Sequence, residues 1–265
     1  MKVLAKSLGP ARKLMFFVDH AKPAEVDAVA REHGVFRPGT ILSFHDFADD
    51  EGLQRVVADR SLTPKVAAFG AGTFIFDLRE DEPTLFARIA DRDRSKIRKA
   101  ERSGARAVFT RSPSAAEIAK FTALYGQMAT ERSLEAVTPR ALAGLFRAGR
   151  AIFGTSFDAD GRALTMHVTY TQERHGYFLH GVRDPQVVDA AGGFFQWELL
   201  RHLKREGIRW YDFGLVPNVE PNNGLYRFKR SFGGHWLPSG HSYESSSEWL
   251  GQAAALAGRL RNRLR

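Results

Sequence analysis

Three side chains have types suited to handling a proton or a charge: His180, at the end of the run Tyr177-Phe178-Leu179-His180, His167 in the preceding run, and Asp212 in Tyr211-Asp212-Phe213-Gly214. An imidazole can take a proton from an attacking group near neutral pH. His180 is therefore a candidate catalytic proton acceptor, and His167 points to the same kind of site. Asp212 is a candidate for orienting an amine or pairing with a cation. Each has a structural alternative, a satisfied core histidine or a structural ion pair. No Ser–His–Asp or Cys–His arrangement can be assembled from the sequence. The chain has no cysteine, which excludes thiolate nucleophiles, disulfides and Cys-based zinc or iron–sulfur sites. A site of this composition can still work by holding an activated donor and an amine in reacting position.

Charge is the second signal. With 39 Lys and Arg against 30 Asp and Glu, the chain carries a net charge of +9, which favours phosphate-bearing partners. Arg92, Lys96, Lys99, Arg102 and Arg106 recur at helical spacing, with Arg88 one turn ahead. Such a stripe could track the phosphates of a tRNA backbone, a pyrophosphate or a lipid-linked diphosphate. Asp91, Asp93 and Glu101 are interspersed, and a solvated helix face is an equal reading.

The elements that must position these residues follow from periodicity. Residues 1–72 form a small α/β lead-in, with strands at Lys13–Val18 and Thr40–Phe47 and a helix over Pro23–His33. The main domain, 73–243, opens on the β-type run Thr73–Leu78. A helix over Pro83–Ser103 ends at Gly104, a strand follows at Ala105–Thr110, and helices begin at Pro113 and at Thr138-Pro139. Three strands then form an antiparallel meander, Ala151–Phe157, Ala163–Thr171 and Gly176–Val182. In it Leu164, Met166, Val168 and Tyr170 define one buried side. Helix Ala190–Arg205 buries Phe194, Trp197, Leu200 and Leu203. Strand Ile208–Val216, a short helix Gly224–Ser231 and a last strand His235–Tyr243 complete the domain. Residues 244–265 form a basic C-terminal helix ending in Arg259, Arg261, Arg263 and Arg265. Those arginines suit a helix C-terminus, or contact with tRNA or, transiently, an anionic membrane surface. The apolar stretch Leu14–Val18 is too short for a signal segment or a membrane span, and a cytoplasmic location is expected.

Several segments, in order, carry a family resemblance. Arg94-Ser95-Lys96-Ile97-Arg98-Lys99-Ala100-Glu101-Arg102-Ser103-Gly104 resembles the helix-to-strand signature of the Fem family. Gln196-Trp197-Glu198, Tyr211-Asp212-Phe213-Gly214, Gly224-Leu225-Tyr226-Arg227-Phe228-Lys229 and Phe232-Gly233-Gly234 are similar to the second half of the same proteins. The likeness covers about residues 73–240. It implies an α/β, GNAT-like acyltransferase fold, a mixed and mostly antiparallel central sheet flanked by helices. The implied activity is transfer of an aminoacyl group from charged tRNA to an amine of a cell-wall precursor or a peptide-like metabolite, with no cofactor. By resemblance, Lys229 stabilises the oxyanion of the tetrahedral intermediate and the Phe228 carbonyl orients the attacking amine. Arg132 matches a position that contacts the acceptor's phosphates. Arg98, Lys99, Arg132, Tyr177, Trp197 and Tyr226 are the candidate substrate-binding residues. Members that build cell-wall bridges usually carry two GNAT-like domains and often a coiled-coil arm. This chain has room for one full domain and shows no sustained heptads.

An acyl-CoA or acyl-carrier-protein donor is the alternative. Ala190-Ala191-Gly192-Gly193 at a helix start could cradle a pyrophosphate. The glycine spacing typical of CoA sites is absent there, and Asp184 and Asp189 add unfavourable charge. A third reading is a non-catalytic RNA- or lipid-binding module on the same fold.

Overall fold

The computed structural model describes residues 2–8, 11–18, 40–46, 63–65, 71–132, 134–184, 191–238 and 242–244. The chain divides into two compact units. One comprises residues 1–73, 215–219 and 237–265, the other 74–214 and 220–236.

In the first unit, strands β1 (Lys2–Leu8), β2 (Ala11–Val18), β3 (Thr40–Asp46), β4 (Thr63–Lys65) and β12 (Ser242–Glu244) form a five-stranded sheet in the order β1-β2-β3-β12-β4. Only β2 and β3 run parallel. The strands expected at 13–18 and 40–47 are present as β2 and β3. The expected helices at 23–33 and over the C-terminal segment fall outside the described residues.

The second unit is organised on a seven-stranded mixed sheet in the order β11-β5-β10-β9-β8-β7-β6. Its strands are β5 (Gly72–Asp77), β6 (Arg106–Thr110), β7 (Ala151–Phe157), β8 (Ala163–Gln172), β9 (His175–Arg183), β10 (Trp210–Asp212) and β11 (His235–Pro238). Six helices flank it: α1 (Glu82–Arg88), α2 (Asp91–Arg102), α3 (Ala115–Glu131), α4 (Pro139–Arg147), α5 (Ala191–Arg205) and α6 (Gly224–Ser231). This is the GNAT fold expected from the sequence.

Local chemistry explains where these elements begin and end. The single helix expected over 83–103 is two. Asp81 caps α1 by accepting from the Thr84 N–H at 2.7 Å. Arg94, reaching back from α2, donates to the carbonyls of Ala87 and Ile89 at 2.6 and 2.7 Å, so the orphan acceptors of α1's last turn are satisfied by a side chain and the chain can turn. Ser114 and Glu117 form a reciprocal capping box at the start of α3. The stretch expected as one last strand, 235–243, is also two, β11 and β12, in different sheets. The expected strand 208–216 shrinks to β10, followed by an isolated bridge between Gly72 and Val216.

The meander β7–β8–β9 is antiparallel as expected, but it is buried on both sides. Helices α3 and α4 pack on one face and α5 on the other. Met166, Val168, Val182 and Phe153 join Phe121, Tyr125, Leu142 and Phe146 in one core cluster. Thr165, Thr169 and Thr171, which alternate with them and read as a solvent side, are buried as well. The polar row carries small side chains, which lets α5 approach. A bulge interrupts the β8–β9 ladder: Val168 pairs with His180 and Thr169 with Phe178, leaving Leu179 unpaired. One extra residue reverses the side-chain parity along a strand.

Candidate active site

Helix α6 starts where the Asn223 side chain accepts from the N–H groups of Leu225 and Tyr226 at 3.0 and 3.1 Å. With that start, Leu225, Arg227 and Arg230 are exposed while Lys229 turns inward and is only 3% exposed. Phe228 and Phe232 anchor the same helix on Phe213, with ring centroids 5.8 and 5.6 Å away.

Lys229 enters the sheet where two parallel strands part. β9 and β10 pair over His175–Tyr177 and Trp210–Asp212, and beyond that stand Phe178 on one strand and Phe213-Gly214 on the other. The Lys229 Nζ donates to the Gly214 carbonyl at 2.7 Å. It lies 5.4 Å from the ring centre of Phe178 and 5.7 Å from that of Phe213, within cation–π range. Gly214 has φ +80°, and a Cβ there would come within 2.9 Å of the Phe178 ring, so backbone and packing both demand glycine. Its N–H donates to Asp212 Oδ1 at 2.7 Å. Burial lowers the Lys229 ammonium to about 8, and the Asp212 carboxylate acts in the opposite sense.

The two histidines separate. His167 lies on the α5 side, its ring centre 4.4 Å from that of Phe195 and 5.2 Å from that of Phe178. Burial, with the positive charge of Lys229 behind it, lowers its imidazole to about 3. His180 lies on the α3 side, its Nδ1 3.2 Å from the Tyr125 hydroxyl, and burial lowers it to about 4. The bulge at Leu179 separates them: it turns Phe178 toward Lys229 and His180 toward Tyr125 on the opposite face.

The other residues singled out in the sequence scatter. Asp212 is beside Lys229. Tyr177 is next to its strand partner Tyr170, with ring centres 6.0 Å apart. The Phe228 carbonyl accepts from Ser231 Oγ at 2.8 Å, which occupies one of its two lone pairs. Tyr226 packs on Phe74 and Trp236, with Arg230 above its ring. Trp197 is 5% exposed and packs on Phe86, a packing environment rather than an open binding surface. Arg98 lies over the other side chain of that pair, 5.2 Å from the Phe86 ring centre, and is exposed, as are Lys99 and Arg132. Sequence reasoning missed Phe178, the Gly214 carbonyl and Tyr125. The one available signal was Gly214 itself, a glycine immediately after a short apolar strand. Among the described residues no cluster of His, Asp and Glu could hold a metal ion, and no helix is long and apolar enough to cross a membrane.

Comparison with known proteins bears on this geometry. Residues 88–230 match the family model described as an acetyltransferase (GNAT) domain. No curated protein matches the sequence. Among solved structures, FemX is similar with a TM-score of 0.71 at 13% identity, over 92% of this chain and 83% of that one. L-PGS from Bacillus licheniformis is similar with a TM-score of 0.64 at 12% identity, over 97% and 85%. The C-terminal domain of a candidate lysylphosphatidylglycerol synthetase from Agrobacterium fabrum gives 0.62 at 14%, over 95% and 82%. At these identities the likenesses speak for the fold.

Proposed function

Because the chain belongs to the family of acetyltransferase (GNAT) domains and is an acyltransferase, we propose that it transfers an aminoacyl group from charged tRNA to an amine of a peptide-like or cell-wall-precursor acceptor. The observation that carries this reading is the buried ammonium of Lys229 at the parting of β9 and β10. The donor is an ester. The acceptor nitrogen attacks its carbonyl carbon, the carbonyl oxygen becomes an oxyanion, and the C–O bond to the ribose breaks as the amide forms. The nitrogen loses a proton and the leaving ribose oxygen gains one. Lys229 is the cation for the oxyanion. Held by the Gly214 carbonyl and two rings, it needs little reorganisation as charge develops. The Phe228 carbonyl keeps a lone pair with which to orient the amine. His180, the candidate acceptor read from the sequence, faces Tyr125 across the sheet from Lys229, so the proton passes from the nitrogen to the leaving ribose oxygen.

Resemblance to FemX and L-PGS in fold, together with the Fem-like segments and the exposed Arg98 and Lys99 on α2, supports an RNA-borne donor. The test is aminoacyl transfer from charged tRNA to candidate amines. Product formation that RNase abolishes is expected, and RNase-insensitive transfer would remove the tRNA donor.

A second reading, an acyl-CoA or acyl-carrier-protein donor, is favoured by one feature. A Cβ on Gly192 or Gly193 would make only ordinary contact with Phe228 or Phe232, at 3.9 Å. Packing therefore does not require these glycines near the start of α5, and a phosphate-binding turn would use them. Acetyl transfer from acetyl-CoA in the absence of RNA would establish that reading instead.

A further inference from the structure

A second charged feature lies at the other end of β9, where the β8–β9 turn, the α4–β7 loop and the α5–β10 loop meet. Two adjoining cavities of about 490 and 570 Å³ open there and share Glu173, Glu206 and Ile208. Their walls carry six cationic side chains against those two carboxylates. Three of the six are used internally. Arg111 pairs with Glu206 at 3.0 Å, Arg79 pairs with Asp77 at 2.6 Å, and Lys204 donates to the Leu78 and Glu80 carbonyls at 2.9 and 2.7 Å. The other three, Arg150, Arg174 and Arg209, are exposed, and among the described residues none makes an ion pair or a side-chain hydrogen bond.

These three arginines come from separate loops, yet their backbones are tied to one frame. The Arg150 carbonyl accepts from Thr171 N–H at 2.9 Å, and the Arg174 carbonyl accepts from Arg209 N–H at 2.7 Å. Glu173, beside Arg174, holds φ 52°, an uncommon conformation for a residue other than glycine. The three side chains thus leave backbone positions that are tied to one frame, with Glu206 already neutralised by Arg111. Phe178 lies four positions after Arg174, roughly 13 Å along extended chain. The groove therefore lies within the same unit as Lys229 but away from the reacting centre.

We propose that this groove binds the phosphodiester backbone of an RNA, with Arg150, Arg174 and Arg209 as its phosphate contacts. The proposal rests on the RNA-borne donor proposed above and names the surface that would hold the body of that RNA. Spaced arginines on a rigid frame suit successive phosphates. An anionic membrane surface is the less fitting partner, because binding there also uses apolar side chains. Among the described residues none of the exposed large hydrophobic side chains, Val108, Leu134, Leu215, Val219, Leu225 and Trp236, lines the groove.

The test is fluorescence-anisotropy binding of labelled uncharged tRNA to the full chain over a salt series. The variants are R150Q/R174Q/R209Q and the charge-keeping R150K/R174K/R209K, each checked by thermal unfolding. The glutamine variant is expected to bind at least about 10-fold more weakly near 0.1 M salt, with a log K against log salt slope shallower by about 2–3. The lysine variant is expected to retain most of the binding. If wild type and the folded glutamine variant bind tRNA with equal affinity and slope, the groove assignment is wrong while an RNA donor stands. If wild type binds no tRNA at any salt, the groove assignment and the donor reading fall together. If phosphatidylglycerol vesicles bind through these arginines and tRNA does not, the surface is a membrane contact and the proposal is overturned.

Discussion

Lys229 and Gly214 are joined by a 2.7 Å hydrogen bond from the ammonium to the carbonyl oxygen, which ties α6 to the point where β10 leaves the sheet. Around the ammonium, in a buried place, are the Gly214 carbonyl oxygen and two aromatic faces. Desolvation costs the charged form part of its stability, as its pKa of about 8 records. At neutral pH the group is nonetheless mostly charged, which is the state an oxyanion needs.

Replacing that cation tests its role directly. Lys229→Met is expected to lower kcat by about 10²–10³-fold, the scale found on removing one preorganised oxyanion donor, with little change in KM. The variant should fold at least as well as wild type at neutral pH, since it removes a buried charge. Steady-state kinetics and urea unfolding check both halves. Unchanged kcat would leave Lys229 as a structural cation.

The pH dependence of Lys229 has opposite signs for activity and stability. Activity requires the ammonium and should fall as pH rises through about 8. The folded pKa lies below the ordinary lysine value of 10.5, so between about pH 8 and 10.5 the unfolded chain binds more protons. Stability from this group therefore rises with pH across that window, by at most about 3 kcal/mol. Unfolding free energies at pH 7.5 and 10, compared between wild type and Lys229→Met, should show the increment in wild type alone.

The fold could be read from residue order more fully than the arrangement of side chains on it. Lys229 was marked by the family-like segment Gly224–Lys229, but its inward direction was not legible, because Arg227 and Arg230 beside it are cations of the same helix that face outward. The burial of Phe194, Trp197, Leu200 and Leu203 on α5 was legible from helical spacing. The side of the sheet that His180 faces was not. It depends on the single unpaired residue Leu179, and nothing in Tyr177-Phe178-Leu179-His180 marks a bulge. The burial of Thr165, Thr169 and Thr171 was likewise hidden, because a polar row reads as solvent-facing until a helix is laid on it. The Arg150, Arg174 and Arg209 set escaped because its members belong to three loops that only the sheet brings together.

The half-buried histidines His167 and His180 make the fold sensitive to acid. Folded pKa values of about 3 for His167 and about 4 for His180 lie below the ordinary histidine value of 6.5, so the unfolded chain binds the extra protons. Stability should be fully present above about pH 6.5 and decline as pH falls toward 4 and then 3, by up to a few kcal/mol. His167→Gln should roughly halve the slope between pH 6.5 and 4, where both histidines contribute, and remove the decline below pH 4. Unfolding free energies between pH 4 and 7 measure the halving, and an identical slope in the variant would show that His167 is not titrating out of a half-buried site.

Gly214 and Gly161 offer a matched pair that separates backbone strain from crowding at the site. Both hold positive φ, +80° and +81°, so an alanine at either position bears a left-handed backbone cost of about 1–2 kcal/mol. At Gly161 the added Cβ meets nothing closer than an Arg106 guanidinium nitrogen at 3.9 Å, whereas at Gly214 it would lie 2.9 Å from the Phe178 ring. Gly214→Ala should therefore be less stable than Gly161→Ala by about a further 1–3 kcal/mol, the usual scale of overpacking. It should also lower kcat, because relieving the clash moves either the carbonyl that holds Lys229 or the ring beneath it. Gly161→Ala should keep wild-type kcat. Urea unfolding and kinetics on the two variants read out both differences, and equal losses would mean that Phe178 yields freely and does not fix the cation.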